Sequence, residues 1–269
     1  MGTSFYSSGI CSAPLLQATP PVAYREALNI VRGPYELRLA RTEAERMAVY
    51  RLRFEVFNRE LREGLDSAYE IGQDVDPFDA ICDHLIVQDC RRGTVVGTYR
   101  LQTGSTAAAN GGYYSEREFD FAPYDRLRAS MVELGRACIH RDHRSTEVLL
   151  LLWRGIAQYA VHNAARYLIG CCSLTSQNPV EGTSVFNALS GSLTEAQLRT
   201  SPQAEFTMPL VQGADGEPKI PNLLRTYLAL GARICGPPAI DREFKTIDFL
   251  TLLDLTQLHP RLCSRFLKG

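Results

Sequence analysis

Glu133-Leu-Gly-Arg-Ala-Cys-Ile-His140 reads as an apolar strand carrying two opposite charges, Glu133 and Arg136. It runs through Arg141-Asp142-His143-Arg144 into an apolar helical stretch, Val148–Ile156. Charges on a buried strand are costly unless they are paired or used. A strand that ends in a basic turn and then a helix aims backbone N–H groups at whatever binds there, and such donors suit a thioester oxygen or a phosphate.

The elements on either side set the fold class. Tyr35-Glu-Leu-Arg-Leu39 alternates as a first strand. Thr42-Glu-Ala-Glu45 is a capping box opening a helix whose apolar stripe is Met47, Tyr50, Phe54, Phe57 and Leu61, with Gly64 as its stop. His84–Val87 and Thr94–Leu101 flank an Arg-Arg-Gly turn and predict a hairpin. After the strand at 132–140 come a helix at 146–164, a strand at 166–174, helical segments at 180–190 and 223–230, and final strands at 233–235 and 246–255. The order β-α-β-β-β-α-β-α-β is mixed α/β. Residues 104–130 read as a loop with a short helix, and 190–220 has no assignment. Residues 1–33, rich in Ser, Pro, Gly and Ala, read as a flexible leader ahead of a single domain at 34–269, with an extension from about residue 200.

Composition narrows the function. The 269 residues suffice for a substantial core, with 45% hydrophobic and 22% charged residues. A net charge of −1 gives no global argument for nucleic acid. The 8 cysteines form no CxxC pair and no zinc-spaced cluster, so reduced, buried thiols in the cytosol and no metal site are expected. No apolar run approaches the roughly 18 residues of a bilayer span. The basic cluster Arg261, Arg265 and Lys268 is a candidate contact for acidic lipid head groups or an acidic protein, or else a solvated helix end.

Several segments together match one pattern: Tyr50–Phe57, Asp76-Pro-Phe-Asp79, Cys82–Val87, Val96–Leu101 and Glu133-Leu-Gly-Arg136. In order and spacing they resemble the Gcn5-related N-acyltransferase superfamily. Over roughly residues 35–260 the chain looks like the branch that holds ornithine N-acyltransferases of ornithine-lipid synthesis (the hemolysin-like group), N-acyl amino acid synthases and acyl-homoserine-lactone synthases. The tail, Tyr227–Ala239 through Asp248 and Leu253–Leu255, looks like the ornithine group. The resemblance implies a mixed, mostly antiparallel central sheet flanked by helices. It also implies acyl transfer to the α-amine of an amino acid, ornithine first, with glycine or another amino acid as the alternative. A non-catalytic acyl- or carrier-binding module is the competing class.

The superfamily's glycine-rich acetyl-CoA loop is here Arg141-Asp-His-Arg-Ser-Thr-Glu147, without glycine. Glycines let backbone N–H groups approach a pyrophosphate closely. Their absence argues against tight binding of a coenzyme A pyrophosphate; the family branch implies instead the acyl-phosphopantetheine thioester of acyl carrier protein as donor, with no tightly bound cofactor. Arg141, Arg144 and Arg154 are candidates for a carrier-facing patch, and Trp153, with Phe119, Phe121 and Tyr124, for an acyl channel; ordinary surface charge and core packing are the competing readings. Glu133 is the candidate base, with Arg136 and Arg100 beside it or on the acceptor carboxylate. Arg53, Asp76 and Asp79 complete the set that the homoserine-lactone synthases place on the acceptor side; a structural ion-pair network is the alternative. Asp76, Asp79 or Asp83 are candidates for a cationic acceptor group, and His84 for a base or orienting donor. Cys138 offers a covalent route, but no base motif supports it. The product would partition into membrane, so a cytoplasmic enzyme with peripheral contact at the inner membrane is expected.

Overall fold

The computed structural model describes residues 28–214 and 217–258. One twisted sheet organises them, in the order β1-β2-β3-β4-β5-β6-β9-β7, with β8 also on β9. The strands are β1 Asn29–Arg32, β2 Tyr35–Leu39, β3 Asp83–Asp89, β4 Thr94–Thr103, β5 Met131–Ile139, β6 Tyr167–Leu174, β7 Arg233–Ile234, β8 Ala239–Asp241 and β9 Thr246–Asp254. Every pairing is antiparallel except β5 with β6. Part of the expected leader is therefore structure: residues 29–32 fold back on β2 through a turn at Gly33. The rest of the leader, residues 1–27, and the Arg261/Arg265/Lys268 cluster lie outside the described residues.

Among the described residues the longer helices against the sheet are α1 Glu43–Phe54, α2 Thr146–His162, α3 Pro179–Ala188 and α4 Asn222–Leu230. The Thr42 capping box opens α1, with the Glu45 carboxylate taking the Thr42 and Arg41 N–H groups at 3.1 and 2.6 Å. Gly64 does not stop this helix. From Glu55 to Leu61 the chain widens into a π-helix, and Arg62 ends it in the left-handed conformation at φ 62°. The widening keeps Val56 and Phe57 buried and brings Leu61 and Glu63 to the same wall.

The main core lies between the sheet and α2, where Val148, Leu151, Leu152 and Ile156 meet Leu37, Leu85 and Leu101. On the opposite side, residues 104–130 form a helical turn at Gly104–Ala109 and a string of 3₁₀ turns rather than an open loop. Their aromatics Tyr113, Phe119, Phe121 and Tyr124 pack with Met131 and Tyr167 into a second core.

The site arises where the neighbouring strands β5 and β6 run parallel. β5 and β6 are in register only over Met131–Glu133 and Tyr167–Ile169. Gly170 lets them close at that point, for a Cβ there would sit 2.2 Å from the Leu134 carbonyl oxygen. Beyond it the strands part. Arg136 takes φ 48°, unusual for a side-chain-bearing residue, and re-aims the far half of β5. The resulting V leaves that edge of β5 without a strand partner among the described residues.

Candidate active site

A cavity of about 640 Å³ occupies the V. Apolar side chains from five elements line much of it, including Phe57 from the π-helix, Leu134 and Ile139 from β5, Leu149 from α2, Tyr227 from α4 and Phe244 from the β8–β9 turn. Glu133 faces the same space and is 4% exposed. Its carboxylate accepts from the Tyr114 N–H at 2.8 Å, the Ser115 N–H at 2.8 Å and the Ser115 hydroxyl at 2.5 Å. Burial raises its pKa above the ordinary carboxylate value, while those hydrogen bonds and the Arg100 charge pull it back. A buried carboxylate fixed in place and drawn toward neutrality is suited to accept a proton.

Beside it stands a lattice of buried arginines and aspartates. Arg53, fully buried, donates to Asp79 at 2.6 and 3.0 Å and through Nε to Asp74 at 2.6 Å. Arg100 donates to Asp76 at 2.6 Å and to Asp79 at 3.2 Å. Arg136 donates to Asp76 at 2.8 Å and lies over the Phe244 and Tyr114 rings at 4.3 and 5.0 Å. Burial opposes ionisation of Asp76 and Asp79, but the arginines overcome it and hold both carboxyls below the usual range. Asp76 and Asp79 also close a capping box of their own over Pro77–Ala80.

This lattice sorts the residues singled out from sequence. Glu133, Arg100 and Arg136 line the cavity. Arg53 does not; its guanidinium is saturated by aspartates, and it acts as a support behind the site. Asp76 and Asp79 are neutralised by arginines and are poor receptors for a second cation; Asp76 faces only a smaller adjoining cavity. Asp83 lies away from the cavity and accepts from the Tyr159 hydroxyl at 2.8 Å. His84 is buried behind the lattice with Nε2 3.1 Å from the Asp79 carbonyl oxygen, and burial lowers its pKa. It is a structural histidine.

The donor side changes more. Arg144 lines the cavity, but its guanidinium is paired with both Glu60 oxygens at 2.6 and 2.9 Å. Arg141 points to solvent beside Asp142. Trp153 is 4% exposed, packs edge-on against Tyr227 at 5.1 Å and lies in the main core, while Phe119, Phe121 and Tyr124 belong to the second core. None of these aromatics forms a channel; the apolar wall comes from the residues of the V itself. Cys138 is on that wall, but burial pushes its thiol up to about 12, which disfavours a thiolate nucleophile.

Sequence reading missed a group of acids at the same cavity. Glu118, Asp241 and Asp248 are buried and bring carboxylate oxygens within 4.8 Å of one another. Burial and mutual repulsion push Glu118 well above the ordinary range, and burial pushes Asp248 up to about 6. Glu63, hydrogen-bonded by Thr175, is raised by burial to about 7. Glu118 comes from the stretch read as a loop, Asp241 from a short strand that sequence did not predict, and Asp248 from the tail segment. Asp248 alone carried a signal, as an acidic residue inside the apolar run Thr246–Leu255.

An acetyltransferase (GNAT) domain model matches residues 52–154. The L-ornithine N(alpha)-acyltransferase of Agrobacterium fabrum (strain C58) is 32% identical over 250 residues, covering 87% of this chain and 85% of that protein. The enzyme of the same name from Rhodobacter capsulatus is 31% identical, covering 87% of this chain and 96% of its own. Among solved structures, the AHL synthase LasI superposes with a TM-score of 0.51 at 14% identity, covering 87% of this chain and 95% of that one. FeeM, an N-acyl amino acid synthase from uncultured soil microbes, does so with a TM-score of 0.51 at 11% identity, covering 83% and 93%. Both agree in fold with the splayed, mostly antiparallel sheet seen here. By fold, by domain and by identity over most of its length, the chain is an acyltransferase of the GNAT type and belongs to the L-ornithine N(alpha)-acyltransferase family.

Proposed function

We propose that this enzyme transfers a fatty acyl group, a 3-hydroxyacyl chain in the first instance, from the phosphopantetheine thioester of acyl carrier protein to the α-amine of L-ornithine. The product is a lyso-ornithine lipid. The observation that carries this reading is a single cavity combining an apolar wall, a fixed buried carboxylate and an acidic lobe. A fatty chain needs the first, an amine nucleophile the second and a dibasic acceptor the third. The names of the relatives support ornithine as the acceptor. The turn at 141–147, without a glycine to admit a pyrophosphate, supports a carrier-protein donor over coenzyme A.

The chemistry follows from the positions of the groups. Glu133 takes a proton from the α-ammonium, and the freed amine attacks the thioester carbonyl carbon directly. The unpaired edge of β5 beyond Glu133 presents backbone N–H groups to the carbonyl oxygen as it gains charge. Arg136, whose Nε makes no hydrogen bond among the described residues and lies 3.5 Å from an Asp74 oxygen, is placed to hold the acceptor carboxylate. The new C–N bond forms as C–S breaks, and the thiol leaves with a proton. No helix among the described residues is long and apolar enough to cross a membrane. Release of the lipid product into the inner membrane then calls for peripheral contact by a cytoplasmic enzyme.

Expression in a host that makes no ornithine lipids, followed by mass spectrometry of the lipid extract, tests the reading. A new ion for an ornithine amide of a 3-hydroxy fatty acid is expected. An N-acyl glycine or another amide would replace the acceptor assignment and leave acyl transfer standing. An ornithine amide lacking the hydroxyl would correct the donor alone.

A further inference from the structure

Glu118, Asp241 and Asp248 differ from the aspartates of the lattice in one respect: no arginine, lysine or histidine pairs with any of them among the described residues. Arg136, which also lines the cavity, is bound to Asp76 instead. Asp241 is held by backbone donors, its Oδ1 accepting from the Glu243 and Phe244 N–H groups at 2.9 and 2.8 Å. Asp248 is 3% exposed and its Oδ2 accepts from the Thr246 hydroxyl at 3.0 Å. Its Oδ1 is buried on a side chain that lines the cavity and meets no donor in good hydrogen-bonding geometry among the described residues; the nearby Ser173 hydroxyl only partly offsets the effect of burial on this carboxyl. A buried carboxylate oxygen left without a donor costs free energy that a cationic donor entering the cavity would recover.

We propose that this acidic lobe is the receptor for the second, side-chain ammonium of a diamino-acid acceptor, and that it sets the enzyme's preference for diamino acids over neutral ones. The inference rests on the ornithine reading and deepens it. An alkylammonium is a compact charge with three donors, matching three converging acids better than a planar guanidinium does. The lobe also lies at a workable reach from the base. The Ser115 hydroxyl touches Glu133 at 2.5 Å, Cys171 Sγ lies 3.6 Å from that hydroxyl, and Glu118 Oε2 lies 3.7 Å from Cys171 Sγ. An acceptor with its α-amine at Glu133 can therefore lay a short methylene chain past Ser115 and Cys171 and set its far ammonium among the acids. The same oxygens would also suit a hard divalent cation, and the test separates the two.

The experiment compares kcat/KM for L-ornithine and L-norvaline, which share a carbon chain and differ by the terminal amine, using purified enzyme and acyl carrier protein thioester. Wild type is expected to favour ornithine. Asp248→Asn and Glu118→Gln should each cut the ornithine-to-norvaline ratio at least about tenfold, mainly through KM for ornithine. Two variants are used so that poor folding of one does not decide the matter, and damage to the fold would lower both acceptors alike. An unchanged ratio in both variants overturns the proposal. So does a selectivity that vanishes with EDTA and returns with Ca²⁺, which would make the lobe a metal site. A wild type that acylates norvaline as well as ornithine refutes the lobe's role while acyl transfer to ornithine stands; a wild type that acylates neither overturns the ornithine reading itself.

Discussion

Glu133→Gln separates the base from the scaffold. The carboxylate holds the Tyr114 N–H on one oxygen and the Ser115 N–H and hydroxyl on the other. An amide keeps one acceptor oxygen, which can serve Ser115. The NH₂ group then faces the Tyr114 N–H, and one buried donor is orphaned, at a cost of about 1–3 kcal/mol. For a chain of this size each kcal/mol lowers Tm by roughly 2–4 °C, so the variant should remain folded at assay temperature. The chemical loss is larger. A positioned general base contributes about 10²–10⁴-fold, or roughly 3–5 kcal/mol of barrier. Steady-state kinetics at fixed acyl donor should therefore show kcat reduced by about that factor, with KM for the acceptor changed by only a few-fold. The wild-type acid limb of kcat/KM should lie above the ordinary carboxylate range, because burial raises the Glu133 pKa, and it should vanish in the variant. A kcat within about tenfold of wild type, or an unchanged acid limb, would refute the assignment and turn attention to Glu63, whose pKa of about 7 also suits a base.

Three further outcomes follow from the geometry. Arg53→Met leaves Asp74 and Asp79 buried without their main counter-ion and should cost about 3–5 kcal/mol in urea denaturation; because folded Asp79 has a depressed pKa, wild type should itself lose this stability as pH falls below about 4, the unfolded value. Leu149→Trp fills part of the apolar wall and should shift the acyl chains found in the lipid product toward shorter lengths, read by mass spectrometry. Asp248→Asn should stabilise the acceptor-free enzyme at pH 8 relative to pH 4 by roughly 3 kcal/mol: the folded carboxyl keeps its proton up to about 6, the unfolded one releases it near 3.9, so wild type loses stability as pH rises between them. Equal differences in Tm at the two pH values would refute this burial penalty.

Much of the sheet was legible because its strands and helices carry strong local signals. The Thr42 capping box, the Arg-Arg-Gly hairpin and the apolar strand through Glu133 each announce themselves in a few residues. The π-widening after Glu55 was not legible, since its apolar spacing differs little from an α-helix over two turns. β8 was missed because it is three residues long and is defined by its partner β9. In the site, the charges on β5 could be found because burial made them improbable without a use. The roles of Arg53, Asp83 and His84 could not, because sequence does not show which face of a charge is already saturated. Trp153 stayed open between an acyl channel and the core for a related reason: an aromatic beside a functional turn is equally consistent with either side of its helix, and in the structure it packs in the core.

The two groups of acids at this cavity are best understood by their counter-ions. Asp74, Asp76 and Asp79 face Arg53, Arg100 and Arg136 in an alternating lattice, so their charges balance without any ligand. Such a lattice is weak evidence for stability, since the desolvation of its ions offsets much of their attraction. Its value lies in holding Arg100 and Arg136 rigidly at the cavity wall, where a flexible arginine would lose entropy on each binding event. The lobe of Glu118, Asp241 and Asp248 is built in the opposite way. It is equally buried, yet it is left short of positive charge, and burial draws Glu118 and Asp248 toward their protonated forms. A cation that enters must displace those protons, so recognition of a dibasic acceptor and the protonation state of the lobe are linked. The balanced lattice can position a carboxylate and leave the lobe to discriminate among amines, which divides the acceptor's recognition between its two ends.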